Sequence, residues 1–477
     1  MKEYFLDDTL YTESSGISKV PGKVSKKRCI ITNDNPGDLS IVSAFCSSTV
    51  PLSNGSLRLY YSTMDIAGAN SRYFISVAHS KDTEKWTKPD LGQDLVDGKN
   101  TNRLAITGIP EGCFALLPSV IKLSENNWRM FCWVHGKGFC RYVMCESTDG
   151  LNWAVVNLDR PCVYHPNDKA QKGSSFAGLT ELKEQSERIV DDRAVSLKSN
   201  DATMTYYDDE KQIYRMYSVW LFKNYPEAGH YIEYDNTPNA YRVIQYRESR
   251  NGLNWGESRI IIVPDSDDSP DVQLYYLGAQ KAAGAYVGQL GFYPVAEQTM
   301  DIELVFSNDG INWNRPLRNK FLIKRNREPG KEGMVTASHS MLKHGDSHLV
   351  FYTSYLNLHN MLKGPIGSSI MLAKLKGERF LGLQTGKEGG SITTKPLVLN
   401  SQEIFIDADI RGCLKAELCD PFGKVVDGFD FGHSIEVHGD SLKHRLSWHN
   451  EITDEMRYQA YRLKITWQDG EVYGIEY

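Results

Sequence analysis

Ser307-Asn308-Asp309-Gly310-Ile311-Asn312-Trp313 occurs more than once in this chain. Ser147-Thr148-Asp149-Gly150-Leu151-Asn152-Trp153 is a second copy, and Ser249-Arg250-Asn251-Gly252-Leu253-Asn254-Trp255 is a third. Ser80-Lys81-Asp82-Thr83-Glu84-Lys85-Trp86 is a fourth that has lost the glycine. Each copy follows an alternating, strand-like run, at 74–78, 142–145, 243–246 and 302–306. Asp-Gly or Asn-Gly after such a run signals a tight turn, because glycine accepts positive φ without a Cβ clash. The tryptophan then supplies one large apolar anchor per unit. A strand, a turn and an anchor repeated at long intervals indicate a repeat architecture made of sheets.

Working outward from these turns gives five units of three or four strands. The first has strands at 41–49, 57–62 and 73–78; the second at 114–123, 128–134 and 141–146. The third has strands at 203–207, 214–220 and 241–247; the fourth at 272–277, 285–292 and 301–306. The fifth has strands at 335–342, 348–354 and 370–375 and closes on Gly377-Glu378-Arg379-Phe380, without the tryptophan. Almost no segment carries a helical period. The predicted fold class is therefore all-β: a five-bladed β-propeller over 1–386, with the innermost strands lining the channel. The short apolar strand at 4–6 is expected to complete the last blade and close the ring. Gly389-Gly390 marks a linker, and the alternating strands that follow predict a small C-terminal β-sandwich over 387–477.

Length alone suggests about three domains, but one propeller absorbs most of the chain. The net charge of -6, without a basic block, argues against nucleic acid as a partner. No run approaches a membrane span and the N-terminus has no apolar leader core, so the expectation is a cytoplasmic protein with no membrane partner. The nine cysteines are scattered without CxxC pairs or zinc spacing. In strand patterns they act as small hydrophobes. Tyrosines (26) outnumber phenylalanines (17), a load that suits sheet packing and also stacking against sugar rings.

Acidic residues stand ahead of the inner strands: Asp38, Glu111, Asp201, Asp271 and Glu332. If the blades are related by rotation, these carboxylates converge on one end of the channel. Like charges brought together raise one another's pKa. Glycosidic cleavage needs that split, with one carboxyl protonated as acid and another ionised as base or nucleophile. Each acid taken singly is equally well explained as a turn cap at a strand start. Asp34 competes with Asp38 for the first position. Asp34, Arg193, Tyr275, Trp133 and Trp220 are the candidate substrate-binding residues, the aromatics as sugar platforms, with Tyr276 and Lys281 behind them. Surface solvation or blade packing is the plainer role for each. No cofactor is expected. A ring of carboxylates could hold calcium or another hard cation, whereas His339, His344 and His348 need no metal to explain them.

The Ser-x-Asp-Gly-x-Asn-Trp units with acids at the inner strands resemble the five-bladed propeller superfamily of glycoside hydrolases, families 32, 43, 68 and 130. More narrowly, Phe5-Leu6-Asp7-Asp8, Lys88-Pro89-Asp90-Leu91-Gly92 with Asn102, Pro270-Asp271-Val272-Gln273-Leu274-Tyr275 and Thr394-Lys395-Pro396-Leu397 resemble a poorly characterised bacterial family 32-like group. The resemblance implies a carbohydrate substrate and hydrolysis of a glycosidic bond. It also implies base or nucleophile, helper and acid at Asp38 (or Asp34), Glu111 and Asp201. The pattern departs at 33–37, where Asn-Asp-Pro-Asn-Gly is scrambled, and it lacks Arg-Asp-Pro and Glu-Cys. Invertase or levanase activity is therefore not expected, and Asp271 and Glu332 are alternative carriers of the chemistry. A phosphorylase or a non-catalytic glycan-binding propeller are the rival expectations.

Overall fold

A computed structural model describes residues 1–65, 72–136, 138–165, 168, 199–223, 235, 240–328, 330–360 and 365–477. Five sheets, antiparallel except where Ile106–Thr107 runs parallel to Trp153–Val155 at the edge of blade 2, form a five-bladed β-propeller, and a further ten-stranded sheet is built around the C-terminus. Blade 1 holds Ile41–Ser43 and Thr49–Pro51 as a broken inner strand, then Leu57–Asp65 and Arg72–Ser80. Blade 2 runs Phe114–Ser124, Asn127–Gly136 and Phe139–Ser147. Blade 3 runs Ser199–Asp208, Ile213–Lys223, Ala240–Ser249 and Arg259–Ile262. Blade 4 runs Val272–Ala282, Ala285–Pro294, Asp301–Ser307 and Phe321–Ile323. Blade 5 runs Met334–Ala337 with Leu342–His344, then Ser347–Tyr355 and Ser368–Lys376.

The repeated heptapeptide is a turn that, in blades 1 to 4, clips its blade to the one before it. In the copy at 307–313, Gly310 sits at φ +77°. Asp309 Oδ1 accepts from the amides of Ile311 (2.8 Å) and Asn312 (2.7 Å), and Ser307 Oγ accepts from the Gly310 amide (2.9 Å). Trp313 Nε1 then donates back to the Gly310 carbonyl at 3.2 Å. The copies at 147–153 and 249–255 repeat that indole bond at 3.1 and 3.0 Å. In the degenerate copy Thr83 takes the glycine's place at φ +65°, and Trp86 Nε1 still reaches its carbonyl at 3.2 Å.

Each indole meets an aromatic ring on the second strand of the preceding blade. Trp153 meets Tyr60, Trp255 meets Phe131, Trp313 meets Tyr217 and Trp86 meets Phe351, with centroids 5.8–6.3 Å apart and planes near perpendicular. Edge-to-face aromatic pairs add about 0.5–1.5 kcal/mol each beyond area burial. The junction of blades 4 and 5 has neither partner. Gly288 stands at the matching place on blade 4, and blade 5 ends on Arg379 and Phe380.

Two expectations change. The ring is closed by Val24–Ile31, which pairs with Ser368–Lys376 as the outer strand of blade 5, and not by residues 4–6. Lys2–Tyr4 pairs instead with Gly470–Glu476 in the C-terminal sheet. Against the expected division at 386/387, strand pairing adds Tyr11–Ser15, Ser18–Pro21 and Leu381–Thr385 to that same sheet. Its long strand, Ile404–Cys419, pairs with Gly470–Glu476 over its first half and with Ala460–Trp467 over its second. The sheet thereby folds over a core of Ile406, Ala408, Leu414, Leu418, Leu463 and Ile465, all fully buried, in a sandwich-like form. Among the described residues no helix is long and apolar enough to cross a membrane.

Candidate functional site

The inner strands do not run straight along the channel. Each loses register midway: at 44–48 and 338–341, where blades 1 and 5 break, and between Leu116/Ser119, Ser199/Thr203 and Leu274/Leu277. A bulge bends a strand and re-aims its side chains. At one level these irregularities block the axis. His339 of blade 5 donates its amide to the Ser47 carbonyl of blade 1 at 2.9 Å. Its Nε2 bonds the Thr205 carbonyl of blade 3, a contact that has to cross the centre of the ring. A carbonyl only accepts, so His339 carries its proton on Nε2. A Cβ on Gly278 of blade 4 would lie 2.6 Å from the His339 carbonyl, so only glycine lets this plug seat.

Beside the plug the channel opens as a funnel of about 350 Å³. Its wall is largely apolar and aromatic, with Phe45, Tyr73, Trp133 and Tyr355 prominent. The polar groups include Asp201, His135, His165, Tyr275, Asn357 and His359. Asp201 is the one carboxylate among the described lining residues. Burial raises its pKa above the ordinary carboxylate value, a shift moderated by His359, the Ala202 amide, Arg242 and His135. Burial likewise holds His135 and His359 below the ordinary imidazole value. The funnel therefore pairs a carboxyl biased toward its acid form with imidazoles biased toward their neutral form.

A chain of polar side chains backs one wall. Tyr275 Oη lies 2.8 Å from His359 Nε2, and His359 Nδ1 lies 3.1 Å from Tyr293 Oη. Tyr293 donates to Asp235 Oδ1 at 2.7 Å, which also accepts from Gln298 at 3.0 Å, while Arg242 Nη2 meets Oδ2 at 2.9 Å. Burial alone would raise the Asp235 carboxyl, but His359, Arg242, Tyr293 and Gln298 outweigh it and hold the group well below the usual carboxylate range. Asp235 is thus ionised and takes the single proton of Tyr293. His359 Nδ1 must then donate to the Tyr293 oxygen, which leaves Nε2 as an acceptor for the Tyr275 hydroxyl.

Of the residues singled out from sequence, Asp201, Tyr275 and Trp133 line the funnel together. Asp201 occupies the bulge of its inner strand, between the pairs Ser199/Trp220 and Thr203/Ser218, rather than a position ahead of it. The other four acids do not belong to the lining. Asp38 is buried against Lys88 Nζ and accepts from Tyr61 Oη at 3.0 Å. Asp34 is exposed and pairs with the same lysine. Glu111 is exposed beside an outer groove. Glu332 accepts from Ser354 Oγ at 2.6 Å and from the Asn326 amide, and the Asp271 carbonyl accepts from the Val295 amide at 3.0 Å. Trp220 is half-buried on the second strand of blade 3. Tyr276 is a packing residue whose Oη accepts from the Ala337 amide at 2.8 Å, and Lys281 pairs with Glu210. Arg193 lies outside the described residues. His344 is exposed, and His348 is buried with Nδ1 2.8 Å from the Gly377 carbonyl. Among the described residues no group of three or more His, Cys, Asp or Glu side chains is arranged to hold a metal ion.

The fold is that of the five-bladed β-propellers, here carrying a sandwich-like C-terminal sheet. Solved structures with a similar course include a protein described as a glycoside hydrolase (13% identity, 74% of this chain and 92% of that one, TM-score 0.48). A thermostable family-43 glycoside hydrolase is similar at 16% identity over 74% and 95% of the two chains, with a TM-score of 0.43. The β-1,2-mannobiose phosphorylase from Listeria innocua is similar at 10% identity over 79% and 96%, also at 0.43. No protein-family model matches the chain, and no curated protein sequence matches it significantly. At this distance the site has to be understood from its own residues.

Proposed function

We propose that the protein is a glycoside hydrolase that binds a terminal sugar in the funnel and cleaves its glycosidic bond with Asp201 as general acid. The observation that carries this reading is the position of Asp201: a carboxyl biased toward its protonated form by burial, in an aromatic-lined funnel. Aromatic faces suit the apolar faces of sugar rings, and the cavity is at the low end of the roughly 300–1,000 Å³ typical of ligand sites. A pocket of that size takes the end of a glycan more readily than its middle, so the enzyme is read as exo-acting. Trp133 and Tyr275 bind the sugar. Among the described lining residues there is no lysine or arginine, which favours water over phosphate as the final acceptor.

The test is release of aryl alcohol or monosaccharide from a panel of aryl glycosides and oligosaccharides, with and without phosphate. Wild type is run beside Asp201→Asn and Asp271→Asn. Phosphate-independent turnover that Asp201→Asn abolishes and Asp271→Asn leaves is the expected result. Loss confined to Asp271→Asn would overturn the assignment. One observation favours a second reading, a glycan-binding propeller without turnover: hydrolysis ordinarily uses two carboxylates, and the described lining has one. That reading expects binding by calorimetry, with no product from any sugar.

A further inference from the structure

The single carboxylate among the described lining residues raises the question of what plays the second catalytic part. Double displacement needs a nucleophile on the far side of the anomeric carbon from the acid, and single displacement needs a base for water. Tyrosine is an established alternative to a carboxylate nucleophile when an adjacent base takes its proton and a third group orients that base. Tyr275, His359 and the Tyr293–Asp235–Arg242 chain meet that description.

We propose that Tyr275 is the nucleophile, with His359 as its base, so that cleavage passes through a covalent glycosyl–tyrosine and retains anomeric configuration. The inference rests on the hydrolase reading. Its support is geometric. Tyr275 lines the funnel, and its hydroxyl is 2.8 Å from His359 Nε2. The ring is fixed by edge contacts to His359 and Tyr293, with centroids 4.9 and 5.5 Å away. The tautomer of His359 is set from behind, because Tyr293 spends its proton on Asp235. Nε2 is therefore the unprotonated nitrogen, facing the phenol it has to deprotonate. His359, Tyr293 and Asp235 act through Tyr275 and are positioning residues.

In the first step the bond from the anomeric carbon to the leaving oxygen breaks, and that oxygen takes the proton of Asp201. The bond from the anomeric carbon to Tyr275 Oη forms, and the phenol proton moves to His359 Nε2. In the second step water attacks the anomeric carbon and gives a proton to the Asp201 carboxylate. The bond to Oη breaks, and Oη recovers its proton from His359. No oxidant, reductant or further reactant is required. Burial keeps the resting phenol protonated, so its proton leaves as the new bond forms and not beforehand.

The test uses the full chain and the sugar that turns over fastest in the panel. Its 2,4-dinitrophenyl 2-deoxy-2-fluoro glycoside is the trapping probe. The expected result is a mass gain of one fluoroglycosyl group, mapped to the peptide holding Tyr275. Proton NMR of the early product is expected to show retention. Tyr275→Phe should lower kcat by about a thousandfold or more with a small change in KM and an unchanged melting temperature. Tyr275→Ala with added azide should yield a glycosyl azide of inverted configuration. His359→Gln should slow trapping while leaving the site of labelling unchanged. Label on another residue, an inverted product or an active Tyr275→Phe would overturn the nucleophile and leave the hydrolase reading standing. Absence of turnover of every sugar by wild type would overturn the hydrolase reading and this inference with it.

Discussion

The indole of Trp86 in blade 1 stands edge-on to the ring of Phe351 in blade 5, with centroids 5.8 Å apart and planes at 86°. This is the same contact that joins blades 1 to 2, 2 to 3 and 3 to 4, so the ring closes with the device that builds it. Trp86 is only half-buried, whereas Trp255 is 6% exposed. Removing a buried tryptophan costs about 3–5 kcal/mol, through lost transfer energy and the cavity left behind. Trp255→Ala is expected to cost that much, and Trp86→Ala roughly 2 kcal/mol, because water already covers part of the ring. Urea unfolding followed by tryptophan fluorescence would rank the two. Equal losses would mean that closure of the ring matters more than area.

Gly310 separates two causes of strain. Its φ of +77° disfavours any side chain, and a Cβ there would lie 2.8 Å from Arg215 Nη1. Gly55 has a similar φ of +80° with nothing within 4 Å of the same position. Gly55→Ala should therefore cost about 1 kcal/mol, from the backbone alone. Gly310→Ala should cost distinctly more, since Arg215 is buried between Asp208 and Tyr286 and cannot withdraw freely. Thermal melts of the two variants test this, and equal shifts would show that Arg215 yields.

The propeller was legible because its signals are local. A turn such as Asp309-Gly310 and an anchor such as Trp313 sit within seven residues, and the inner strands are apolar runs buried on both faces. The closing strand was not legible for the opposite reasons. Val24–Ile31 is an outer strand with Lys26, Lys27 and Arg28 in it, and its partner lies more than 300 residues away. Charged residues are what an edge tolerates, so nothing in its pattern marks it as part of a core. Asp201 lines the funnel, but not by the placement expected of it. It was placed ahead of an inner strand, where Asp38 and Glu332 stand, but it owes its place in the funnel to a bulge that apolar alternation does not reveal. The chain from Tyr275 to Arg242 was invisible because it is assembled from five separate segments. The one local hint was a histidine, His359, just beyond the second strand of the fifth unit.

Blade 5, which lacks the tryptophan turn, ends on Arg379, and this residue bonds the C-terminal sheet and not blade 4. Its guanidinium bonds Asp407 Oδ1 (2.6 Å), Asp440 Oδ1 (2.7 Å) and the Ala408 and Ser441 carbonyls, and it lies 4.5 Å from the Tyr473 ring centroid. Blade 5 is thereby fastened to the C-terminal sheet. Arg379→Ala leaves Asp407 buried without its main partner and is expected to cost about 3–5 kcal/mol. Arg379→Lys should recover little, since one ammonium cannot reproduce a planar fork. Arg379→Ala combined with Asp407→Asn should be milder than Arg379→Ala alone. Denaturant melts of the three, with limited proteolysis of the C-terminal sheet, provide the check; an additive double variant would deny the coupling.

The plug makes stability depend on pH with a definite sign. Burial pushes the His339 pKa down to about 4, against 6.5 for the free group, with the Thr205 carbonyl partly opposing the shift. Between those values the unfolded chain takes up a proton that the folded chain refuses. The stabilisation is full above pH 6.5 and is lost as pH falls toward 4. At about 1.4 kcal/mol per unit of pKa difference, this site should contribute a loss of roughly 2 kcal/mol between pH 8 and pH 5. His339→Gln should flatten that part of the profile, whatever it costs at pH 8. Unfolding free energies at the two pH values, for both proteins, decide the matter; an unchanged slope would mean that other groups set it.

Arg247 leads to a prediction in the opposite direction, toward greater stability. It lies on the third strand of blade 3, where it pairs in register with Met216, and it is 1% exposed. Among the described residues its Nε, Nη1 and Nη2 have no hydrogen-bond partner, and burial pulls its pKa down to about 9. A buried cation without hydrogen bonds or a counter-ion loses its hydration and gains nothing electrostatic in return. Methionine keeps the length and flexibility of the side chain without the charge. Replacing buried charges by well-packed apolar residues of similar volume stabilises other proteins by about 1–4 kcal/mol. Arg247→Met is therefore expected to raise stability by an amount in that range, read as a higher urea midpoint with an unchanged slope. Arg247→Ala should gain less or lose, because a cavity would replace the charge. Destabilisation by Arg247→Met would mean instead that the guanidinium binds an anion in solution. Adding chloride or phosphate would then stabilise wild type and not the variant.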